Sequence, residues 1–239
     1  MKNVRTQTKK SNTKERESPK TSARSFPISR AMSLLEKAVL QWKVPIVTRV
    51  AEERSPYKVL ISCLISLRTK DDVTDAASTR LFQIADTPEH LAQIPVPTIS
   101  RAIYPAGFYK TKAQTIRDIS VRLVREFGGR VPDDLDTLLT FKGVGRKTAN
   151  LVVTLGFGKP GICVDTHVHR ITNRWGYVKT RNPEQTEFAL REILPPRYWL
   201  RINDLLVTFG QNQCHPVSPR CSTCPLRPHC PQLGVTHSR

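Results

Sequence analysis

Three groups of residues in the chain have the types and spacing that chemistry needs. The first is Lys147, in the run Phe141-Lys142-Gly143-Val144-Gly145-Arg146-Lys147-Thr148-Ala149-Asn150. A lysine just past a Gly-x-Gly turn stands at a helix start, the positive end of the helix dipole, where an ammonium is poorly placed. That field, with Arg146 beside it, favours the neutral amine, which is a nucleophile. The same side chain can instead serve as a point charge against phosphate. The second group is built on Asp165, in Val164-Asp165-Thr166-His167-Val168-His169-Arg170. A carboxylate there can move protons or steady a developing positive charge. It can equally cap the helix that follows. His167 and His169 lie two apart and so point away from each other on a helix, which argues against a catalytic metal. The third group is Cys214, Cys221, Cys224 and Cys230, spaced C-x6-C-x2-C-x5-C. Thiolates this close can wrap one zinc ion or one cubane cluster, and spacing alone leaves both open.

These residues need elements to hold them. Gly143 and Gly145 flank Val144 in a turn between a short helix expected over 133–139 and a second over 148–155. Glycine permits positive φ and lets a ligand approach the backbone closely. The free amides of such a turn suit a phosphate oxygen, while Val144 anchors the turn on the core. The segment resembles a helix–hairpin–helix, a module that binds the DNA backbone. Ser55-Pro56, Thr87-Pro88 and Asn182-Pro183 each place a capping side chain before a proline, a helix start signal. Residues 112–127 carry apolar side chains at helical spacing and stop at Gly128-Gly129. A short helix is expected around 33–42. No alternating run is long enough for a sheet, so the expected class is all-α. The 156–161 stretch, with Gly156, Pro160 and Gly161, is the best internal boundary.

The chain has 239 residues, room for one large or two small domains, and 38% of them are hydrophobic. The longest apolar run, 59–67, is broken by Ser62 and falls far short of the ~20 residues of a membrane helix. A soluble protein is expected. The net charge is +18 with a pI near 10.1. Residues 1–30 supply +7 of it, leaving +11 on the body. A basic body with a basic tail points to nucleic acid rather than to a merely solubilising excess. Residues 1–30, rich in Lys, Ser, Thr and Arg, are expected to be a disordered basic tail without a secretory signal. An organellar transit sequence is the alternative reading, weakened by two Glu and many Lys. Four of the six cysteines fall in the last twenty-six residues. Clustered without an export signal, they read as metal ligands rather than disulfides. Cys63 and Cys163, in apolar surroundings, read as inert core residues.

From about residue 30 to the C-terminus, the hairpin with Lys147, the Val164-Asp165-Thr166-His167 segment and the cysteine tail occur in an order and spacing that resemble the endonuclease III family of base excision repair glycosylases. The resemblance implies a two-lobed helix–hairpin–helix glycosylase fold. A six-helix domain would span 49–159, and an iron–sulfur cluster domain would combine 31–48 with 160–239. It implies a bifunctional DNA glycosylase and AP lyase acting on oxidised or damaged pyrimidines flipped out of the duplex. Lys147 would attack the sugar C1′, and the Schiff base would permit β-elimination that cuts 3′ to the lesion. Asp165 would stabilise charge and move protons. Cys214, Cys221, Cys224 and Cys230 would hold a [4Fe-4S] cluster of structural or DNA-positioning role.

Gly143, Val144, Gly145, Arg146, His167 and Arg220 would contact DNA, Arg220 being the firm charge in the loop between the first two cysteines. Arg68 stands where family members often have Gln filling the gap of the flipped base; its plain alternative is a phosphate contact. Phe108, in Gly107-Phe108-Tyr109, would be an apolar wedge, with core packing as its alternative. The implied partner is double-stranded DNA containing damaged bases or abasic sites, bound by a monomer with no membrane involved. The compartment would be the cytoplasm (nucleoid) in a bacterium and the nucleus or mitochondrion in a eukaryote. Two rivals share these features in part. Monofunctional mismatch glycosylases typically lack the hairpin lysine, and a non-catalytic DNA-binding protein would need neither Lys147 nor Asp165.

Overall fold

The computed structural model describes residues 26–239 apart from 44, 52 and 54, and among them the chain forms twelve α-helices and no strand. The expected start signals act as caps. Ser55 accepts from the Lys58 amide to open α3 (Pro56–Ser66), Thr87 from His90 to open α5 (Pro88–Gln93), and Asn182 from Gln185 to open α11 (Pro183–Ile193). Each such cap is worth about 1 kcal/mol. The long helix α7 (Tyr109–Phe127) ends where Gly128 takes φ 58°, a conformation that costs glycine little.

Two apolar clusters organise the molecule. The first gathers α2 (Ile46–Ala51), α3, α4 (Asp71–Ile84), α5, α6 (Val96–Ile103), α7, α8 (Leu135–Leu139) and α9 (Arg146–Leu151). At its centre α3 buries Val59, Leu60, Ile61, Cys63, Leu64 and Ile65, which is why that run shows no polar stripe. After α9 the chain widens into a π-helical turn, Val152–Gly156, where a helix over 148–155 was expected. The second cluster joins α1 (Ile28–Val39) to α10 (Thr166–Arg174), α11 and α12 (Ile202–Asn212).

Residues 1–25 of the expected tail lie outside the described residues. The second lobe nonetheless includes residues before 31. Phe26 is buried and stacks on Trp175 with centroids 4.8 Å apart, and α1 buries Ala31, Met32 and Leu35. These apolar residues at helical spacing pull the chain into the second lobe from Phe26 onward. At the other end of this segment, Ile46, Val47 and Val50 pack into the first cluster, so α2 sits with the first lobe. Its Thr48 hydroxyl donates to Asp204 Oδ1 of α12 at 2.7 Å, a direct tie between the lobes. No helix among the described residues is long and apolar enough to cross a membrane.

Candidate active site and nucleic-acid interface

The hairpin runs from α8 through a tight turn into α9. Val144 is buried in the first cluster, and its amide donates to Phe141 O at 3.0 Å, so its role is to anchor the turn and its N–H is used inside it. Gly143 adopts φ 84°, and a Cβ there would stand 2.9 Å from Thr115 Cγ2; the turn needs glycine at that point. The amides of Gly143, Gly145 and Arg146 make no backbone hydrogen bond among the described residues, which leaves them free for an anion.

Lys147 follows in the first turn of α9, its side chain 42% exposed. Its Nζ stands 3.8 Å from Oδ2 of Asp165, whose side chain is only 7% exposed. Asp165 Oδ1 accepts from the amides of His167 (2.8 Å) and Val168 (2.9 Å) and so caps α10. The two readings of Asp165 therefore coexist, one on each oxygen. The cap fixes the carboxylate, and its second oxygen is left for the lysine.

This pair divides two cavities. One, of about 400 Å³, opens between the lobes and is lined by Lys147, Asp165, His167, Thr48, Asp71, Arg68 and, from α12, Asn203, Val207 and Gln211. The other, of about 490 Å³, lies toward α11 and is lined by Lys147, Asp165, Asn182, Glu184 and Glu187. Both are of the size that holds small ligands or a nucleobase.

Arg146 is placed differently from its expected role. Its guanidinium donates through Nε and Nη2 to Glu187 Oε2 and Oε1 at 2.8 and 3.0 Å and lies 4.8 Å from the Phe188 ring centroid. Glu187 is 2% exposed and also accepts from Arg191 (2.9 Å) and Asn150 (3.1 Å). A buried carboxylate needs such partners. The Arg146 side chain is thus a clamp between α9 and α11, its guanidinium turned to the Glu187 carboxylate that it shares with Arg191.

His167 turns toward α12. Its Nδ1 accepts from Arg170 Nη2 at 3.1 Å, and burial lowers its pKa, helped by Arg170 and Lys147 and opposed by Asp165. A Cβ on Gly210 would sit 2.3 Å from that nitrogen, so glycine lets α12 approach α10. His169 turns to Thr186 (2.7 Å), the opposite direction expected of histidines two apart.

Arg68 and Phe108 stand together on the surface, with the guanidinium carbon 5.5 Å from the Phe108 ring centroid. Phe108 is 63% exposed, which removes core packing as its reason. Both residues hold positive φ, 53° and 57°, a strain of about 1–2 kcal/mol each for non-glycine residues.

The four C-terminal cysteines form no disulfide and line one largely apolar cavity beneath Trp175 and Phe209. Arg174 donates to Cys214 Sγ at 3.2 Å and to the His215 and Pro216 carbonyls, both at 2.7 Å. Four thiols around a shared, largely apolar cavity are a donor set that suits a thiophilic centre, zinc or an iron–sulfur cluster. Arg220 is exposed on the loop before Cys221. Cys63 and Cys163 are buried; burial pushes the Cys63 thiol up to about 12 and also raises Cys163, which leaves both unreactive.

Three features escaped the sequence reading: Glu187, the α12 side chains Asn203 and Gln211, and Lys112. The last left a signal, since it occupies a buried position on the apolar stripe of α7 among Ala113, Ile116 and Ile119.

An all-α fold with a glycine hairpin, a lysine–carboxylate pair and a four-thiol cavity defines a recognisable class. Residues 61–196 match the HhH-GPD superfamily of base excision DNA repair proteins. Endonuclease III of Thermotoga maritima is 49% identical over 179 residues, covering 75% of this chain and 84% of that one. A solved non-covalent endonuclease III–DNA complex superposes with a TM-score of 0.76 at 32% identity, covering 86% of this chain and 94% of the other. A trapped covalent endonuclease III–DNA intermediate, with an estranged adenine, gives 0.72 at 29% identity over 85% and 95% of the two chains. The chain belongs to the HhH-GPD superfamily and, within it, to the endonuclease III family.

Proposed function

We propose that the chain is a bifunctional DNA glycosylase and AP lyase that binds duplex DNA, removes oxidised or damaged pyrimidines and cuts the strand 3′ to the lesion. The single observation that carries this reading is Lys147 Nζ at 3.8 Å from a capped, buried carboxylate at the mouth of a nucleobase-sized cavity. The net charge of +18 supports attraction to the phosphate backbone.

The damaged nucleotide enters the interlobe cavity, an extrusion that costs least when pairing is already weakened. The Lys147 amine attacks C1′ while the bond from C1′ to the base nitrogen breaks and the base leaves with that electron pair. Asp165 Oδ2 takes the proton released from the attacking nitrogen, and its charge steadies the cationic sugar. The nitrogen lone pair then breaks the C1′–O4′ bond, O4′ takes the proton held by Asp165, and a protonated imine is left on Nζ. Loss of a C2′ proton then expels the 3′ phosphate by β-elimination, and water releases Lys147. The backbone amides of Gly143, Gly145 and Arg146 grip the phosphate chain beside the site. Arg68 and Phe108 fill and hold the kinked duplex, and Arg220 adds a phosphate contact.

Cys214, Cys221, Cys224 and Cys230 are the residues that would hold a [4Fe-4S] cluster. With four protein ligands it would brace the second lobe against DNA rather than enter the chemistry. The fold supports a first lobe over 46–156 and a cluster lobe from α1 and residues 164–239. The protein acts as a monomer.

A panel of duplexes with single lesions, scored separately for base release and for strand cutting, tests this. Release and cutting should rise together on oxidised pyrimidines, whereas release without cutting would mark a monofunctional enzyme. Iron analysis should give four irons per chain and a brown thiolate–iron absorption. One zinc and no colour would overturn the cluster.

A further inference from the structure

The Lys112 side chain lies where an ammonium is costly. It is 8% exposed, and burial brings its pKa down to about 8. Its Nζ donates to Ile65 O and Leu67 O, each at 2.6 Å, and to Thr69 Oγ1 at 2.9 Å. Two of these acceptors are carbonyls at the end of α3, which otherwise lack helical partners, so a cation is suited to the place.

The contacts reach further. Thr69 Oγ1 also accepts from the Gly107 amide at 3.0 Å. The Lys112 amide donates to Phe108 O at 3.0 Å. Gly107 packs so closely that a Cβ there would stand 2.5 Å from Arg68 O, a backbone atom that cannot swing aside. Lys112 and Thr69 therefore sit behind two loops, and each loop carries an exposed residue held at positive φ, Arg68 on one and Phe108 on the other.

We propose that Lys112 is a positioning residue which, through Thr69, locks the Arg68 loop and the Phe108 loop into one rigid reader and so sets which opposite base the enzyme tolerates. The inference rests on the lesion-reading roles given above to Arg68 and Phe108. Lys112 lines neither cavity, and Thr69, at the rim of the interlobe cavity, supplies no group that the chemistry uses. Without the lock, two strained residues relax independently, and the reader loses its fixed spacing.

The test compares wild type with Lys112→Met, Thr69→Val and Thr69→Ser on duplexes carrying one oxidised thymine opposite each of the four bases. Thr69→Val keeps shape and removes the shared acceptor; Thr69→Ser restores it. Lys112→Met and Thr69→Val should each raise KM at least about tenfold, the scale of a lost hydrogen bond to a charged group. The fall in kcat should be smaller, and the ratio of rates between best and worst opposite base should drop toward one. Thr69→Ser should return that ratio to the wild-type value. Equal losses on all four duplexes, with the ratio kept, mean a merely structural residue and overturn the proposal. If Lys112→Met does not fold, Thr69→Val decides alone. Imine trapping by wild type on abasic DNA is scored in parallel: its failure refutes the lyase reading, whereas trapping with unaltered opposite-base ratios in the variants refutes only the reader lock.

Discussion

Asp165 divides its two oxygens between structure and chemistry, and this makes its substitutions separable. Asp165→Asn keeps an oxygen for the His167 and Val168 amides, so stability should change by less than about 0.5 kcal/mol. Base release should nonetheless fall about a hundredfold or more, because the charge facing Lys147 is gone. Asp165→Ala should add the loss of the cap, about 1 kcal/mol, visible in urea unfolding. Similar unfolding midpoints for both variants would deny Asp165 its capping role. His167 gives a further test at this scale. Burial holds its pKa below the ordinary histidine value, so the unfolded chain takes a proton first as the solution is acidified. Stability tied to His167 is therefore present above about pH 6.5 and is lost as pH falls below it toward the folded value. His169 shares the direction, also from burial. His167→Gln should flatten part of the decline in urea midpoint between pH 7 and 5, and an unaltered slope would contradict this.

Packing between elements places the pair. Gly210→Ala would drive a methyl against His167 Nδ1 at 2.3 Å and Arg170 Nη2 at 2.9 Å, prising α12 from α10. A cost of about 1–3 kcal/mol is expected, with slower base release because α10 carries the Asp165 cap. Arg146→Ala should cost about 2 kcal/mol or more, since it removes one of the two arginines on buried Glu187. Its effect on affinity for undamaged DNA should be small; a large affinity loss with full stability would return Arg146 to the DNA surface.

The helix starts, the Gly128 stop, the hairpin, the lysine and the four cysteines were legible because each is local, written within a few residues. The Arg146 clamp and the Lys112 contacts were not. Their partners lie 41 residues away for Arg146 and between 43 and 47 for Lys112. Charge at the hairpin suggested a DNA contact for Arg146, and only tertiary packing reveals the buried carboxylate that claims it. The place of Phe26 in the second lobe was hidden for the same reason: its partner is Trp175.

The lobes are tied by Thr48–Asp204 and by the Arg146 and Asn150 bonds to Glu187, and enclose a cavity that both line. The excess of positive charge lies outside the catalytic chemistry and should act on encounter with any duplex. Binding to undamaged DNA should weaken linearly in log–log terms as salt rises, and Arg220→Ala should lower the slope by about one. An unchanged slope would remove Arg220 from the interface. Both base release and strand cutting depend on the amine of Lys147. The most direct measurement is borohydride reduction of the protein on abasic duplex, followed by peptide mass analysis of the adduct. The sugar remnant is expected on Lys147, with no adduct from Lys147→Gln although that variant still binds the duplex. An adduct on any other residue, or undiminished trapping by Lys147→Gln, contradicts the account.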